Sequence, residues 1–352
     1  MDIPSKAGMS TARLLETYRR TGADLPWGQP ERAHGVGMEG YFWRFTGGGR
    51  TVIVLIGVNQ GPKGAWATVG VASSADDTHR GGLVTAALDG AWADSGGLGA
   101  GSGNAFIGTD RQVVVRMPGV DVDVRLDNLV RWPRRPFGGS SWFQTVPGLN
   151  QYWHPWLLGG SASGRVVVEG DAIEFRDAQL YGEKNWGRGG FPDAWWWGQA
   201  QGFGATGACV AFAGGQVSAG PIHTEVTGLV VRLPDGRVLR LGNPGTSPVQ
   251  AQVSDSSWVL RGRSRRWQVE IEASAHPRDA HVLPVPLPAE HRNTPGALEH
   301  LTGDLRIVVR ERGREVWRGH SALAGLEHGG LAKAEAELLH RGGDPRPVTR
   351  LT

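Results

Sequence analysis

Pairs of short strands joined by tight turns constrain this chain more than any other feature of its sequence. Runs of alternating apolar and polar residues flank turns that contain glycine, which tolerates the positive φ that tight hairpins require. Five such pairs are residues 41–45 with 51–58, 113–117 with 120–126, 165–169 with 172–175, 230–233 with 237–241, and 306–310 with 315–318. Helical periodicity is confined to residues 10–20 and 331–340. A parallel sheet needs a crossover, usually a helix, between its strands, so we predict an all-β chain built as antiparallel barrel or sandwich halves.

The chain is long enough for two domains. Its 352 residues compare with about 150 for an average domain, and small residues at 159–164 separate two strand-rich halves. We therefore predict an N-terminal segment with a short helix (1–22), an N-terminal β domain (23–162), and a C-terminal β domain that ends in a short helix (163–352). The proline-rich stretch 276–303 is predicted as a surface loop or lid.

Charge and cysteine content exclude several classes of function. The net charge of +3 gives no strong attraction to nucleic acid or to an anionic membrane. A single cysteine rules out an intrachain disulfide framework, four-cysteine zinc sites and iron–sulfur clusters. We expect neither a metal nor a cofactor. The N-terminus lacks the apolar segment of a signal peptide, and the apolar run 52–58 is too short to span a bilayer. We therefore expect a cytoplasmic protein, with peripheral membrane contact left open.

One region of the chain combines ionisable residues with tryptophan. Residues 150–158 read NQYWHPWLL, residues 181–187 read YGEKNWG, and residues 191–201 read FPDAWWWGQAQ. Side chains alternate between the two faces of a strand. One face of the second segment therefore carries Tyr181, Glu183 and Asn185, and one face of the third carries Trp195, Trp197, Gln199 and Gln201. We predict that these two segments pair as a hairpin across residues 187–193, which surrounds one space with a carboxyl, an amide and two indoles.

Two interpretations of this region stay open. In the first, Glu183 and Lys184 form a solvated charge pair and the tryptophans fill the core. In the second, Glu183 is a buried carboxylic acid that faces an aromatic cavity. Burial raises the pKa of a carboxyl group, which keeps it protonated, and indole faces stabilise a developing cation. That combination suits chemistry that begins with protonation of an alkene.

Several segments resemble the tocopherol cyclase family. They are MEGYFWRF (38–45), YWHPWLLGG (152–160), YGEKNWGRGGFPDAWWWGQAQGF (181–203) and LAGLEHGG (323–330). The GEKNWG segment is also similar, more distantly, to carotenoid 1,2-hydratase-like enzymes, which carry an acidic residue where Glu183 falls. The resemblance implies two lipocalin-like barrels in tandem. It also implies an activity in which a prenyl double bond is protonated and a phenolic oxygen closes a chromanol ring. Unlike the plant members, this chain is expected to lack a plastid transit peptide.

The candidate site residues follow from this chemistry. Glu183 is the first candidate for the general acid, and Asn185 is expected to orient its carboxyl or the substrate hydroxyl. Tyr181 and His154 are candidates for relaying a proton or binding the phenol. Glu39 is a second candidate acid, with a strand-edge carboxylate as the alternative interpretation. The predicted substrate-binding residues are Trp153, Trp156, Trp195, Trp197 and Gln199.

These features together predict a cofactor-independent cyclase, an intramolecular lyase or isomerase, whose partner is a lipophilic prenylated quinol or phenol. Two alternatives remain. A related alkene hydratase or natural-product cyclase would use the same acid and differ in what captures the cation. A non-catalytic lipid carrier would hold an apolar ligand in its barrel and would need no acid in the cavity.

Overall fold

The computed structural model describes residues 13, 22, 36–75, 80–146, 148–188, 191–204, 207–219 and 222–344. Its first antiparallel sheet has the strand order β4-β3-β2-β1-β12-β11-β9-β8-β7-β6-β5, and β10 pairs with β12 off this path. The strands of this sheet are β1 (Met38–Gly47), β2 (Arg50–Gly61), β3 (Gly64–Ser73), β4 (Leu83–Asp89), β5 (Ala91–Ala93), β6 (Gly99–Ser102), β7 (Phe106–Thr109), β8 (Gln112–Met117), β9 (Val120–Asp127), β10 (Tyr152–Leu157), β11 (Ser161–Val168) and β12 (Asp171–Gly187).

The second antiparallel sheet has the order β16-β15-β14-β13-β22-β21-β19-β18-β17, and β20 pairs with β21. Its strands are β13 (Trp195–Ala200), β14 (Cys209–Ala219), β15 (Ile222–Arg232), β16 (Val238–Leu241), β17 (Val249–Ser254), β18 (Ser257–Arg263), β19 (Trp267–Ser274), β20 (His281–Leu287), β21 (Arg292–Glu311) and β22 (Arg314–Gly329). An α-helix, α1 (Leu331–His340), follows β22 as predicted, and short 3-10 turns lie at Ser141–Thr145, Pro277–Asp279 and Pro288–Glu290. The helix predicted at 10–20 lies, apart from Arg13, outside the described residues.

The all-β, lipocalin-like prediction is confirmed, and its local basis is visible in β9. The sequence VDVDVRLD alternates strictly, and the strand alternates between buried and exposed residues along its whole length. All five predicted hairpins form. Within the described part of the chain, no helix is both long and apolar enough to cross a membrane.

Two predictions about connections are wrong. The segments 181–187 and 195–201 do not pair: β12 bonds to β1, β10 and β11, whereas β13 bonds to β14 and β22. The predicted loop at 276–303 contains β20 and the start of β21, which form a hairpin. Pro284 and Pro286 are tolerated within β20 because this strand has a ladder partner on one side only, so a missing N–H can face away from the ladder.

The change from one sheet to the other falls between Gly187 and Trp195. The predicted domain boundary at 162/163 therefore lies inside β11, a strand of the first sheet. The small residues at 159–164 indicated a boundary by their composition. They lie at the start of β11, however, and the strands of the first sheet continue to pair beyond them. The division into domains itself stays a prediction.

Arg44 connects the two sheets. Its side chain is fully buried on β1, and Nη1 donates to Gln199 Oε1 at 2.9 Å. Nη2 donates to the backbone carbonyl oxygens of Leu301 at 2.9 Å and Leu323 at 2.5 Å. Because a buried guanidinium is costly unless its donors are satisfied, these bonds fix the position of β1 against β13, β21 and β22.

Candidate active site

A cavity of about 230 Å³ lies between the two sheets. Its wall is mainly apolar, with aromatic side chains from β1, β10 and β13 and aliphatic ones from β2 and β20. The carboxyl groups on this wall are those of Glu183, Glu299 and Glu327. An apolar cavity with a few convergent polar groups is the usual form of a site for a small lipophilic molecule.

Glu183 on β12 is 8% exposed and is held by three donors. Its Oε2 accepts hydrogen bonds from the Tyr181 hydroxyl at 2.6 Å, from Trp153 Nε1 at 2.8 Å and from Trp197 Nε1 at 2.9 Å. Burial raises the pKa of Glu183, and these three bonds oppose that effect. Because all three donors occupy the lone pairs of Oε2, Oε1 is the oxygen that can carry the proton of the neutral acid.

Strand alternation on β12 decides which neighbours of Glu183 share the cavity. Asn185, two residues further along, also lines the wall. Lys184 points to the opposite face, where Nζ lies 2.9 Å from Glu39 Oε2. The interpretation of Glu183 and Lys184 as a solvated charge pair is therefore wrong, since both are buried and on different faces.

Glu39 lies away from the cavity wall, in a buried ion pair. It is 1% exposed, its partner Lys184 is fully buried, and the Tyr41 hydroxyl donates to the same Oε2 at 2.7 Å. Register places Glu39 opposite Trp186 on β12, two residues from Lys184 and therefore on the same face of the strand. The carboxylate is therefore engaged in holding a buried ammonium group, and the alternative of a strand-edge carboxylate is wrong because β1 pairs on both sides.

Three further candidates also lie behind the cavity wall. His154 is buried, and Nδ1 accepts from the Gly139 backbone N–H at 3.2 Å. Desolvation lowers the pKa of His154 to about 3, so the imidazole is neutral at physiological pH. Trp156 packs in the core of the first sheet. Gln199 accepts from Arg44, as described above.

The structure thus brings half of the predicted residues to the cavity wall. Those that line it are Glu183, Asn185, Trp153, Trp195 and Trp197. Tyr181 belongs to the same site through its hydrogen bond to Glu183. The chemical roles given to these residues stay predictions.

Two cavity carboxyls were missed from the sequence. Glu299 on β21 and Glu327 on β22 stand directly opposite each other in the strand register. Trp195 Nε1 donates to Glu327 Oε1 at 2.5 Å. The available signal was a single glutamate inside an apolar stretch in each case, ALEHL at 297–301 and LAGLEH at 323–328. That signal is easily overlooked because the turn at 312–313 predicts only the near end of this hairpin, and irregularities between His300 and Leu305 shift the register before Glu299 and Glu327.

Burial controls the ionisation of these two groups. Desolvation and the neighbouring Glu327 carboxyl raise the pKa of Glu299 well above its usual range. Desolvation raises the pKa of Glu327 to about 7, while its bond from Trp195 opposes the shift. Burial therefore favours the protonated forms of these cavity carboxyls, which lie beside apolar and indole surfaces. In the described residues, no group of three or more His, Cys, Asp and Glu side chains is arranged to hold a metal ion.

Comparison with known proteins gives a consistent result. Residues 120–330 match the model of a family described as tocopherol cyclase-like. "Probable tocopherol cyclase, chloroplastic" of Oryza sativa subsp. japonica is 31% identical over 202 residues, which are 54% of this chain and 42% of that protein. "Tocopherol cyclase, chloroplastic" of Zea mays is 30% identical over 201 residues, again 54% of this chain and 42% of that protein. This chain therefore aligns with less than half the length of the curated relatives it matches.

A solved structure shares the fold. The crystal structure of CghA superposes with a TM-score of 0.55 at 12% identity, over 94% of this chain and 94% of that chain. At this level of identity the likeness concerns the fold alone.

Proposed function

This chain belongs to the tocopherol cyclase-like family, and from that premise we propose that it closes a chromanol-type ring on a lipophilic prenylated quinol or phenol. The observation that carries the proposal is Glu183: a carboxyl with a raised pKa in an apolar cavity, with three donors on one oxygen. A carrier of an apolar ligand would gain nothing from a buried acid, which is costly to desolvate.

The proposed reaction begins with a proton transfer from Glu183. Its Oε1–H bond breaks, and the proton adds to the less substituted carbon of the prenyl double bond. The developing charge on Glu183 is stabilised by Tyr181, Trp153 and Trp197, whose donors already point at Oε2. Donors that are in place before charge develops need no reorganisation during the reaction.

The resulting tertiary cation requires protection from water. Trp153, Trp195 and Trp197 line the cavity, and the faces of their rings attract positive charge. The substrate hydroxyl oxygen then forms the new carbon–oxygen bond and loses its proton, so the product is an isomer of the substrate. Water in the cavity would capture the cation first and give a hydrated product instead.

The test is turnover of a prenylated hydroquinone by the purified protein, followed by mass spectrometry. Wild type is expected to give a product of unchanged mass. Glu183→Gln keeps the shape of the side chain, and its rate is expected to fall by about 10²–10⁴-fold, the usual contribution of a general acid. Glu174→Gln is the matched control, because Glu174 lies on the same strand with its side chain 65% exposed.

Each alternative predicts a different product. Incorporation of oxygen-18 from labelled water would identify a hydratase. Binding of the quinol with release of unchanged substrate, equally in wild type and Glu183→Gln, would identify a carrier. Either result would overturn the cyclase proposal.

A further inference from the structure

Cyclisation moves two protons, and the acid accounts for only one of them. The hydroxyl that attacks the cation becomes far more acidic as its oxygen bonds to carbon, and its proton must reach a base inside a cavity that excludes water. In the proposed reaction Glu183 has just given up its own proton, and it did so at the alkene end of the substrate. A second carboxyl on the cavity wall would accept the hydroxyl proton at the other end.

Glu299 and Glu327 supply such a site. They face each other across β21 and β22 and both line the cavity. Glu299 is 1% exposed, and its Oε1 has no hydrogen-bond partner, which is unusual for a buried oxygen. An unsatisfied acceptor of this kind in a cavity wall indicates that a donor on the ligand completes the site.

The charges around this pair favour ionisation of only one carboxyl. Glu183 on β12 adds to the negative potential at both groups, and Arg44 on β1 opposes it at Glu299. Arg44 and Glu299 are neighbours around Gly325. A Cβ built on that glycine would lie 3.2 Å from Arg44 Nε and 3.2 Å from Glu299 Oε1, so the guanidinium and this carboxyl are close. On β13, Trp195 and Trp197 face the pair as neutral side chains.

Within the pair, Glu327 is better suited to exchange a proton with a ligand. It is half-buried, whereas Glu299 is almost completely enclosed. Its Oε1 accepts the indole N–H of Trp195, which stabilises the carboxylate form. Desolvation raises the pKa of Glu327 to about 7, so this carboxyl can ionise near neutral pH, and the pKa of Glu299 is raised well above its usual range. A group of this kind can work as a base at the pH at which Glu183 works as an acid.

We propose that Glu327 is a second catalytic residue, the base that accepts the hydroxyl proton as the ring closes, an assignment that rests on the proposed cyclase function. The O–H bond of the substrate breaks as the carbon–oxygen bond forms, and the proton goes to the Glu327 carboxylate. Glu183 ends the cycle ionised and Glu327 ends it protonated. One proton passed from Glu327 to Glu183 after product release restores the starting state, with no net proton or electron consumed.

The experiment is the pH dependence of kcat/KM for a prenylated hydroquinone. Wild type is expected to lose activity below about pH 7 as Glu327 becomes protonated. Glu327→Gln is expected to turn over about 10²–10⁴-fold more slowly and to lose this acid limb, with KM little changed. Glu327→Asp keeps a carboxyl and is expected to recover part of the rate together with an acid limb. Glu315→Gln is the matched control, since Glu315 lies on the same strand with its side chain 42% exposed.

The outcomes separate this inference from the proposed function. If wild type cyclises the quinol and Glu327→Gln keeps both the rate and the acid limb, Glu327 is not the base and the cyclase proposal stands. If a folded wild-type protein does not cyclise any prenylated quinol offered, the proposed function fails and the assignment of Glu327 falls with it. Circular dichroism and quenching of tryptophan fluorescence by the bound quinol show whether each variant is folded and binds.

Discussion

Removing the carboxylate of Glu39 separates a structural acid from a catalytic one. In Glu39→Gln, the Lys184 ammonium keeps its fully buried position but loses the negative charge of the carboxylate whose Oε2 lies 2.9 Å away. Its other neighbours are the rings of Tyr41 and Trp186, with Nζ at 5.6 Å and 5.3 Å from their centroids. Cation–π contacts of this kind contribute about 0.5–2 kcal/mol each, too little to replace a charged partner in the interior.

The expected loss is large for a single substitution. Breaking a buried ion pair by removing one partner costs about 3–5 kcal/mol. With a urea m-value of about 3 kcal/mol/M, this corresponds to a fall of about 1–1.7 M in the midpoint of unfolding. Tryptophan fluorescence and far-ultraviolet circular dichroism measure that midpoint independently. The double variant Glu39→Gln/Lys184→Met removes both charges, and its stability is expected to return to within about 1 kcal/mol of wild type.

Turnover provides the second measurement on the same variants. Under conditions where Glu39→Gln is folded, its rate should stay near that of wild type, in contrast to Glu183→Gln. The reasoning would be refuted if Glu39→Gln were as stable as wild type, because the buried ammonium would then need no partner. It would also be refuted if the folded variant lost turnover as severely as Glu183→Gln does.

Two further predictions concern protonation. Trp197→Phe removes one of the three donors that lower the pKa of Glu183, so the alkaline limb of the pH–rate profile should move to higher pH. Trp142→Phe, at an exposed indole, is the control and should leave that limb in place. The neutral His154, with its pKa lowered to about 3, binds its proton more readily in the unfolded chain, so it costs stability as pH falls below about 6.5. The advantage of wild type over His154→Gln in the free energy of unfolding should therefore shrink by up to about 1.4 kcal/mol per pH unit, and an advantage that grew on acidification in urea titrations would contradict the assignment.

Local sequence patterns predicted the strands because each pattern has a local cause. The turn at 47–49 joins β1 to β2 through glycines with positive φ, and the alternation in β9 follows from having one buried face. The same alternation correctly separated Glu183 and Asn185 from Lys184. Apolar runs and turn residues depend on neighbours only a few positions away, so they can be read without knowledge of the partner strand.

The roles of particular side chains depended on partners distant in the sequence. Glu39 was a plausible acid from the sequence, but its register opposite Trp186 puts it on the face of β12 that carries Lys184, and the two side chains form a buried ion pair. The turn at 312–313 predicted that β21 and β22 pair close to it, but register shifts farther along the two strands decide that Glu299 stands opposite Glu327.

The sequence by itself determined that this chain forms antiparallel strands and that one segment concentrates acid, amide and indole groups. Only the tertiary structure decided which of those groups meet. Trp197 reaches Glu183 from the other sheet and not across a hairpin, because β12 and β13 each complete their hydrogen bonds with other strands, while Trp195 bonds to Glu327. Turns and alternation specify backbone pairing locally. The cavity instead forms where the two sheets, each with its own hydrogen bonds, pack against each other, and that packing depends on the whole chain.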